Sequence, residues 1–404
     1  TGVYTADKVL ALTFTNRAAG EMRTRLRHLG AASVTAQTFH SSALRQINHF
    51  WPQLTGANTP RVIESKARTV SEAAQQCGLR ADTATLRDLA AEIEWRKVSN
   101  LTIEQYALKA HTRNMPGKLS VDDVVRVSEA YEKLKDDRGQ IDWDDVLLLC
   151  AGLLESEKSA LMEVRDRYRF FVVDEYQDVN PLQHKLLDLW LGDRQELCVV
   201  GDASQTIYSF NGATSAYLLN FADRFPQAQT VELDRSYRSS GAIVATANAL
   251  MRDRAGALEL TSHGELGATP NLSEYPTEQA EARAVAASIA EEISRGVPAE
   301  EIAVLFRTNA QSAALEQALA DVSVGYHVHG ATRFYDRPEV KQAIMALRGA
   351  SVVTRPVPLF QQVSDVLREL GWTQDAPQGV GAVRAKWEAL NAIMTLADQT
   401  PASM

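Results

Sequence analysis

The chain has 404 residues, 45% of them hydrophobic, enough to bury substantial cores in about two to four domains. A formal charge of −9 excludes a protein coated in nucleic acid but leaves room for a local basic track. There is no run of roughly 18 apolar residues and no basic-then-apolar leader, and the three dispersed cysteines (Cys77, Cys150, Cys198) suit reduced thiols in a cytoplasmic protein better than a disulfide framework or zinc site.

Charge is segregated: residues 1–50 hold Lys8, Arg17, Arg23, Arg25, Arg27 and Arg45 against two acids. Residues 8–14, "KVLALTF", predict a buried strand. "NRAAGEMRTRLRHLG" predicts a helix with Ala18, Ala19, Met22 and Leu26 on one face and Gly30 at its stop. "SVTAQTF" is a second strand and "HSSALRQINHF" a helix ended by Pro52. This alternation predicts a parallel sheet with helical crossovers. From 56 to 139 strands vanish, and "ARTVSEAAQQC", "TLRDLAAEIEWRKV" and "VDDVVRVSEAYEKLKDD" predict an inserted helical subdomain. "RGQIDWDDVLLLCAGLL" returns the chain to the sheet, and "FFVV", "PLQHKLLDLWL" and "LCVV" form a βαβ unit. Past Phe225-Pro226, "TVELD" and "EIAVLFR" predict strands, with helices near 240–250 and 278–295; beyond "RPEVKQAIMALRG" the chain is helical and proline-punctuated.

The strand 170–173 places Asp174 at its carboxyl end, where open α/β sheets have their ligand crevice. "LCVV" leads through Gly201-Asp202 to Gln205, and a right-handed crossover puts both strand ends on one sheet edge. Nucleotide-bound magnesium keeps several waters, so one strand-end acid suffices. The adjacent Glu175 suits a general base, and Gln205 suits a group that orients water and senses the terminal phosphate. Taken alone, an acid after a buried strand serves equally well as a turn cap, and Arg238 alone reads as a surface arginine. Arg96-Lys97 reads as a solvated charged face or a contact to nucleic-acid backbone. No phosphate-cradling glycine loop is present: Gly117-Lys118 precedes Leu119-Ser120 and has Thr112 where the loop's first glycine belongs.

The wider strings carry more information. "VVDEYQD" and "VVGDASQTIYSFNGA" resemble motifs II and III of the UvrD/PcrA/Rep helicases; "LALTFTNRAAGEMRTRL" is similar to motif Ia, "TAQTFHSSALR" to motif Ib, and "IDWDDVLLL" to the stretch ahead of motif II. "LDRSYRSS" resembles motif IV, and "IAVLFRTNAQSAALEQAL…GATRFYDRPEVK" the segment beyond it. This collinear resemblance covers roughly residues 1–348. It implies an α/β fold of two RecA-like parallel-sheet motor domains of the P-loop NTPase type, with helical insertions. The first motor domain would be 1–55 plus 140–225, the first insert 56–139, the second motor domain 226–348, and the start of a second insert 349–404. The chain opens on Thr1 and is expected to be a fragment lacking the family's phosphate loop and its motifs V and VI, and so to be inactive by itself. The implied activity is an ATP-dependent 3′-to-5′ DNA helicase in repair or replication restart. Alternatives are the motor part of a RecB/Adn-type helicase–nuclease and a non-catalytic DNA-binding fragment.

By resemblance, ATP and Mg2+ are the cofactors, with Asp174 the magnesium acid, Glu175 the general base, Gln205 the phosphate sensor, Arg238 the cation closing the site and Tyr237 the adenine-stacking ring. The partners are single-stranded DNA and its junctions with duplex, contacted by Phe14, Tyr208 and Phe210 through stacking and by Thr15, Asn16, Thr38 and His40 at phosphates and sugars. Taken alone, each ring fits a core equally well, and His40 a structural hydrogen bond. Asn211, also expected among the DNA contacts, stands where the family usually has arginine, and Gly330-Ala331 where it has two glycines. Residues 349–404 are similar to the shortened form in an actinobacterial UvrD-like branch rather than to the large insert of the best-known members. No membrane contact is implied, and the expected location is the cytoplasm, at the nucleoid.

Overall fold

The computed structural model describes residues 5–81, 83–113, 115–116, 119–307, 311–328, 338–351, 359–376 and, between 386 and 397, part of a last helical stretch. The Gly117-Lys118 pair and Gly330-Ala331 lie outside the described residues. The chain divides into two compact units, Thr1–Pro270 and Asn271–Met404.

In the first unit, strand β1 (Val9–Thr13) leads into helix α1 (Asn16–His28), and β2 (Thr35–Thr38) into α2 (Phe39–Thr55). Gly30 after α1 adopts the left-handed backbone expected of a helix stop. Pro52 does not end α2, contrary to expectation; the helix runs through it and stops at left-handed Gly56. There follow β3 (Arg61–Val62), α3 (Lys66–Gln76), α4 (Thr83–Val98), α5 (Ile103–Lys109), α6 (Val121–Asp137), β4 (Gln140–Ile141), α7 (Trp143–Ser156) and α8 (Lys158–Arg167). Then come β5 (Phe170–Val173), α9 (Pro181–Leu191) and β6 (Leu197–Val199). The main sheet is four-stranded and wholly parallel, in the order β2-β1-β5-β6. Leu10, Leu12, Phe171 and Val173 on one face pack with α2, α7 and α9 in a core that includes the fully buried Trp190.

The helices between β3 and β4 have their own core around Val70, Leu89, Tyr106, Val127 and Tyr131. Where this segment leaves and rejoins the sheet domain, β3 and β4 pair in parallel, Arg61 with Gln140 and Val62 with Ile141. At the same junction Lys97, 1% exposed, donates to Asp142 at 2.8 Å and Asp145 at 2.6 Å and lies 3.0 Å from Glu132. Lys135 bonds Asp145 and Glu132, and Tyr131 donates to Asp142 at 2.8 Å. Arg96 is 7% exposed and bonds Glu132 and the Leu101 carbonyl. Neither solvent nor nucleic acid has access to Arg96-Lys97, and both readings made from sequence are corrected: carboxylates on α6, on α7 and just ahead of α7 claim these cations.

After short helices α10 (Ala216–Leu219) and α11 (Phe221–Arg224), β7 (Arg235–Ser236), α12 (Gly241–Met251) and β8 (Thr261–Ser262) complete the first unit. The second unit holds α13 (Glu278–Ser294) and α14 (Gln311–Asp321) packed through Ala282, Ala286, Ala318 and Leu319, and α15 (Pro338–Ser351) with α16 (Leu359–Glu369) in a separate core. The expected strands "TVELD" and "EIAVLFR" are not strands: neither segment forms a ladder, and Val231, Leu233 and Leu305 are 78%, 79% and 93% exposed. Their apolar content resembles that of buried parallel strands, but a strand exists only where a neighbour takes up its backbone hydrogen bonds.

Candidate active site

The carboxyl ends of all four main strands lie on one edge, and the expected site residues up to Asn211 lie in the segments that follow them. Thr15 caps α1, its hydroxyl accepting from the Ala18 N–H at 3.1 Å, and Thr38 caps α2 by accepting from the Ser41 N–H at 3.1 Å. The Ser41 hydroxyl reaches Asn16 Oδ1 at 3.4 Å, so the two helix N-termini stand side by side, an arrangement that favours an anion. Thr15 and Asn16 are exposed; Thr38 is buried, its hydroxyl engaged by the N–H and hydroxyl of Ser41.

His40 lies in the first turn of α2. Burial lowers its pKa to about 4, against a smaller upward pull from Asp142, so the imidazole is neutral near pH 7. Trp143, 49% exposed, meets it edge-on with centroids 6.1 Å apart. Sequence reading missed Trp143, yet "IDWDD" holds a signal: an aromatic between the capping Asp142 and Asp145, at the first position of a helix.

Past the end of β5, Asp174 is half-buried and its N–H donates to the Leu12 carbonyl at 2.9 Å. Burial raises its pKa, and the Glu175 charge adds to the rise. One step beyond the paired Leu12 and Val173, Thr13 of β1 stands level with Asp174; its hydroxyl is buried and without a hydrogen-bond partner among the described residues. Glu175 is exposed with φ 53° and ψ 43°, a left-handed backbone seldom adopted by a side-chain-bearing residue and often found at functional sites. Its carboxylate accepts from Gln177 Nε2 at 2.8 Å.

Motif III closes over this edge. Gln205 is exposed and donates to Asp202 Oδ2 at 2.9 Å. Asp178 accepts from the backbone N–H groups of Ile207 and Tyr208, and burial, then Glu175, raises its pKa. The Tyr208 ring lies 4.7 Å from that of Phe14, tilted by 31°. Two aromatics expected from separate motifs to stack on bases are therefore neighbours. Asn211 lies in a short turn with its N–H on the Tyr208 carbonyl, and the Phe210 side chain lies outside the described residues. Gly212, at φ +78°, rests on the insert: a Cβ there would sit 2.9 Å from Val98 Cγ2.

Tyr237 and Arg238 follow β7. Tyr237 is 73% exposed with its ring 4.8 Å from that of His263, and Arg238 is exposed. None of the described hydrogen bonds or ion pairs joins either residue to Asp174, Glu175 or Gln205. No three His, Cys, Asp or Glu among the described residues are grouped to hold a metal by themselves, and no helix among them is long and apolar enough to cross a membrane. Of the three free cysteines only Cys198 is exposed.

Compared with known proteins, residues 1–226 match the family model of the UvrD/REP helicase N-terminal domain, and residues 231–357 that of the UvrD-like helicase C-terminal domain. The chain is 44% identical to the ATP-dependent DNA helicase UvrD2 of Mycobacterium tuberculosis, over 98% of this chain and 59% of that protein. It is 31% identical to DNA helicase II of Escherichia coli, over 84% of this chain and 47% of that protein. Against the ATP-dependent DNA helicase PcrA of Staphylococcus epidermidis the identity is 29%, over the same two shares, 84% and 47%. The chain thus spans about half to three fifths of the length of these relatives.

Proposed function

This chain belongs to the UvrD/REP helicase family, with its RecA-like P-loop motor fold, and from that premise we propose that it is the motor part of an ATP-dependent DNA helicase moving 3′ to 5′ along single-stranded DNA. The observation that carries the proposal is one sheet edge on which Asp174, Glu175 and Gln205 stand beside the Phe14–Tyr208 ring pair. The motor reading divides the chain into 1–55 with 140–225, the insert 56–139, a second motor domain 226–348 and a further insert from 349. A motor acting on chromosomal DNA in this way would work in the bacterial cytoplasm.

Asp174 would hold magnesium. Its carboxylate is disfavoured by burial and by the neighbouring Glu175 charge, a state that a divalent cation relieves, and the unpartnered Thr13 hydroxyl alongside is a further oxygen for the hydrated ion. When bound, magnesium neutralises charge on the terminal phosphates. Glu175 takes the proton from the attacking water and Gln205 orients it. Arg238 supplies the cation across the motor cleft and Tyr237 stacks on adenine. Gln205 and Tyr208 lie in one loop, so a displacement of the sensor when the phosphate leaves reaches the stacked rings within three residues. With Asn211 in place of the family's usual arginine, the ring pair rather than a guanidinium carries that link.

The test is made on the complete protein. Single-stranded DNA should stimulate ATP hydrolysis, duplex with a 3′ tail should be unwound and duplex with a 5′ tail spared, and Glu175→Gln should lower kcat by about 10²- to 10⁴-fold. Unwinding from 5′ tails alone, or hydrolysis indifferent to Glu175→Gln, would refute the proposal.

A further inference from the structure

We propose that Gln177 is a positioning residue: its amide grips the Glu175 carboxylate and fastens it to the end of β6, so that base and phosphate sensor are held as one unit. The proposal rests on the helicase reading above and adds a role for a residue that touches neither nucleotide nor DNA in that reading.

Gln177 is 1% exposed and both ends of its amide are engaged. Nε2 donates to Glu175 Oε2 at 2.8 Å, and Oε1 accepts from the Asp202 N–H at 3.0 Å. A carboxylate can only accept and a backbone N–H can only donate, so the amide fits in one orientation and neither glutamate nor leucine reproduces both contacts. Asp202 in turn accepts from Gln205 Nε2 at 2.9 Å through Oδ2 and from the Ser204 N–H at 2.9 Å through Oδ1. The hydrogen bonds therefore run unbroken from Glu175 through Gln177 and Asp202 to Gln205.

Two backbone features fit this clamp. Glu175 holds a left-handed conformation, which needs an external restraint. Gly201 is not left-handed, yet a Cβ on it would lie 2.6 Å from Gln177 Oε1 and 3.2 Å from the Gln177 nitrogen. The close approach of the amide is what demands glycine at 201.

In the complete protein, Gln177→Leu and Gly201→Ala should each lower kcat for DNA-stimulated ATP hydrolysis about 10- to 100-fold, the range for residues that orient a catalytic group, with KM for ATP nearly unchanged. Gln177→Glu replaces the amide donor to Glu175 by a second carboxylate and should likewise lower kcat about 10- to 100-fold with KM for ATP nearly unchanged. In Gln177→Leu the Asp202 amide should exchange deuterium faster while the unfolding midpoint stays at the wild-type value; should that variant fail to fold, the kcat of Gln177→Glu decides. An active wild type whose kcat survives Gln177→Glu overturns this proposal alone. A wild type without turnover overturns the helicase reading and this one with it.

Discussion

Lys97 shows how a charged residue can mislead in sequence and yet govern stability in the fold. The "RKV" run sits on a helix without a one-sided apolar stripe, so nothing local separates a solvated face from a buried one. Three carboxylates from beyond α4 decide the matter, and they are distant in sequence. Removing one member of a buried ion network leaves the others uncompensated, so Lys97→Met should cost about 3–5 kcal/mol, read as a lowered denaturant midpoint. A loss under about 0.5 kcal/mol, the range of an ordinary surface substitution, would show the network to be idle. Asp174 should behave in the opposite sense. A carboxyl raised by burial favours folding only in its protonated form, and that contribution fades as pH climbs through the raised folded pKa; at neutral pH the ionised group is a burden. Asp174→Asn should therefore raise the melting temperature of the nucleotide-free protein, by about 1–4 °C. His40, lowered to about 4, should stay neutral across pH 5.5–8, so single-strand affinity measured over that range should show no inflection that His40→Asn removes. Its folded pKa lies below the unfolded one, so the stability it contributes is lost as pH falls from about 6.5 toward 4.

At the scale of elements, the parallel sheet was legible because buried strands and capped helices alternate within short distances. The "NPLQ" start of α9 is a capping box in the structure, with Asn180 and Gln183 exchanging bonds of 2.9 and 3.1 Å. Helix α5 went unread, being only 7 residues long and marked chiefly by its Thr102–Gln105 cap. "TVELD" and "EIAVLFR" were over-read, since strand propensity counts only beside a partner. The site edge was legible through its motifs, while its internal wiring was not, because hydrogen bonds such as Gln177 to Asp202 depend on how two strand ends converge. The contact between motif III and the insert was equally hidden. Gly212→Ala would place a side chain both in left-handed backbone and against Val98, and should destabilise by about 1–3 kcal/mol. If Val98→Ala in the same protein restores only part of that loss, the remainder measures the backbone penalty; full restoration would mean that the conformation at 212 is costless.

For the molecule as a whole, the proposed function asks a chain of net charge −9 to hold a polyanion. The edge described here offers rings and helix ends more than lysines, which predicts a shallow salt dependence. With about three to five phosphates neutralised, log K against log salt should have a slope of roughly −2 to −3.5 on single strands. A slope steeper than about −6 would mean that the exposed arginines of α1 (Arg17, Arg23, Arg25, Arg27) add a wider basic track to the edge. The two-residue pairing of β3 with β4 has a consequence for engineering. Entry and exit of the helical segment meet at adjacent backbone, so a shorter cassette can be spliced in there without stretching the sheet domain. Any transplant must nevertheless bring two ammonium groups of its own, because Asp142 and Asp145 stay behind on the host side of the seam.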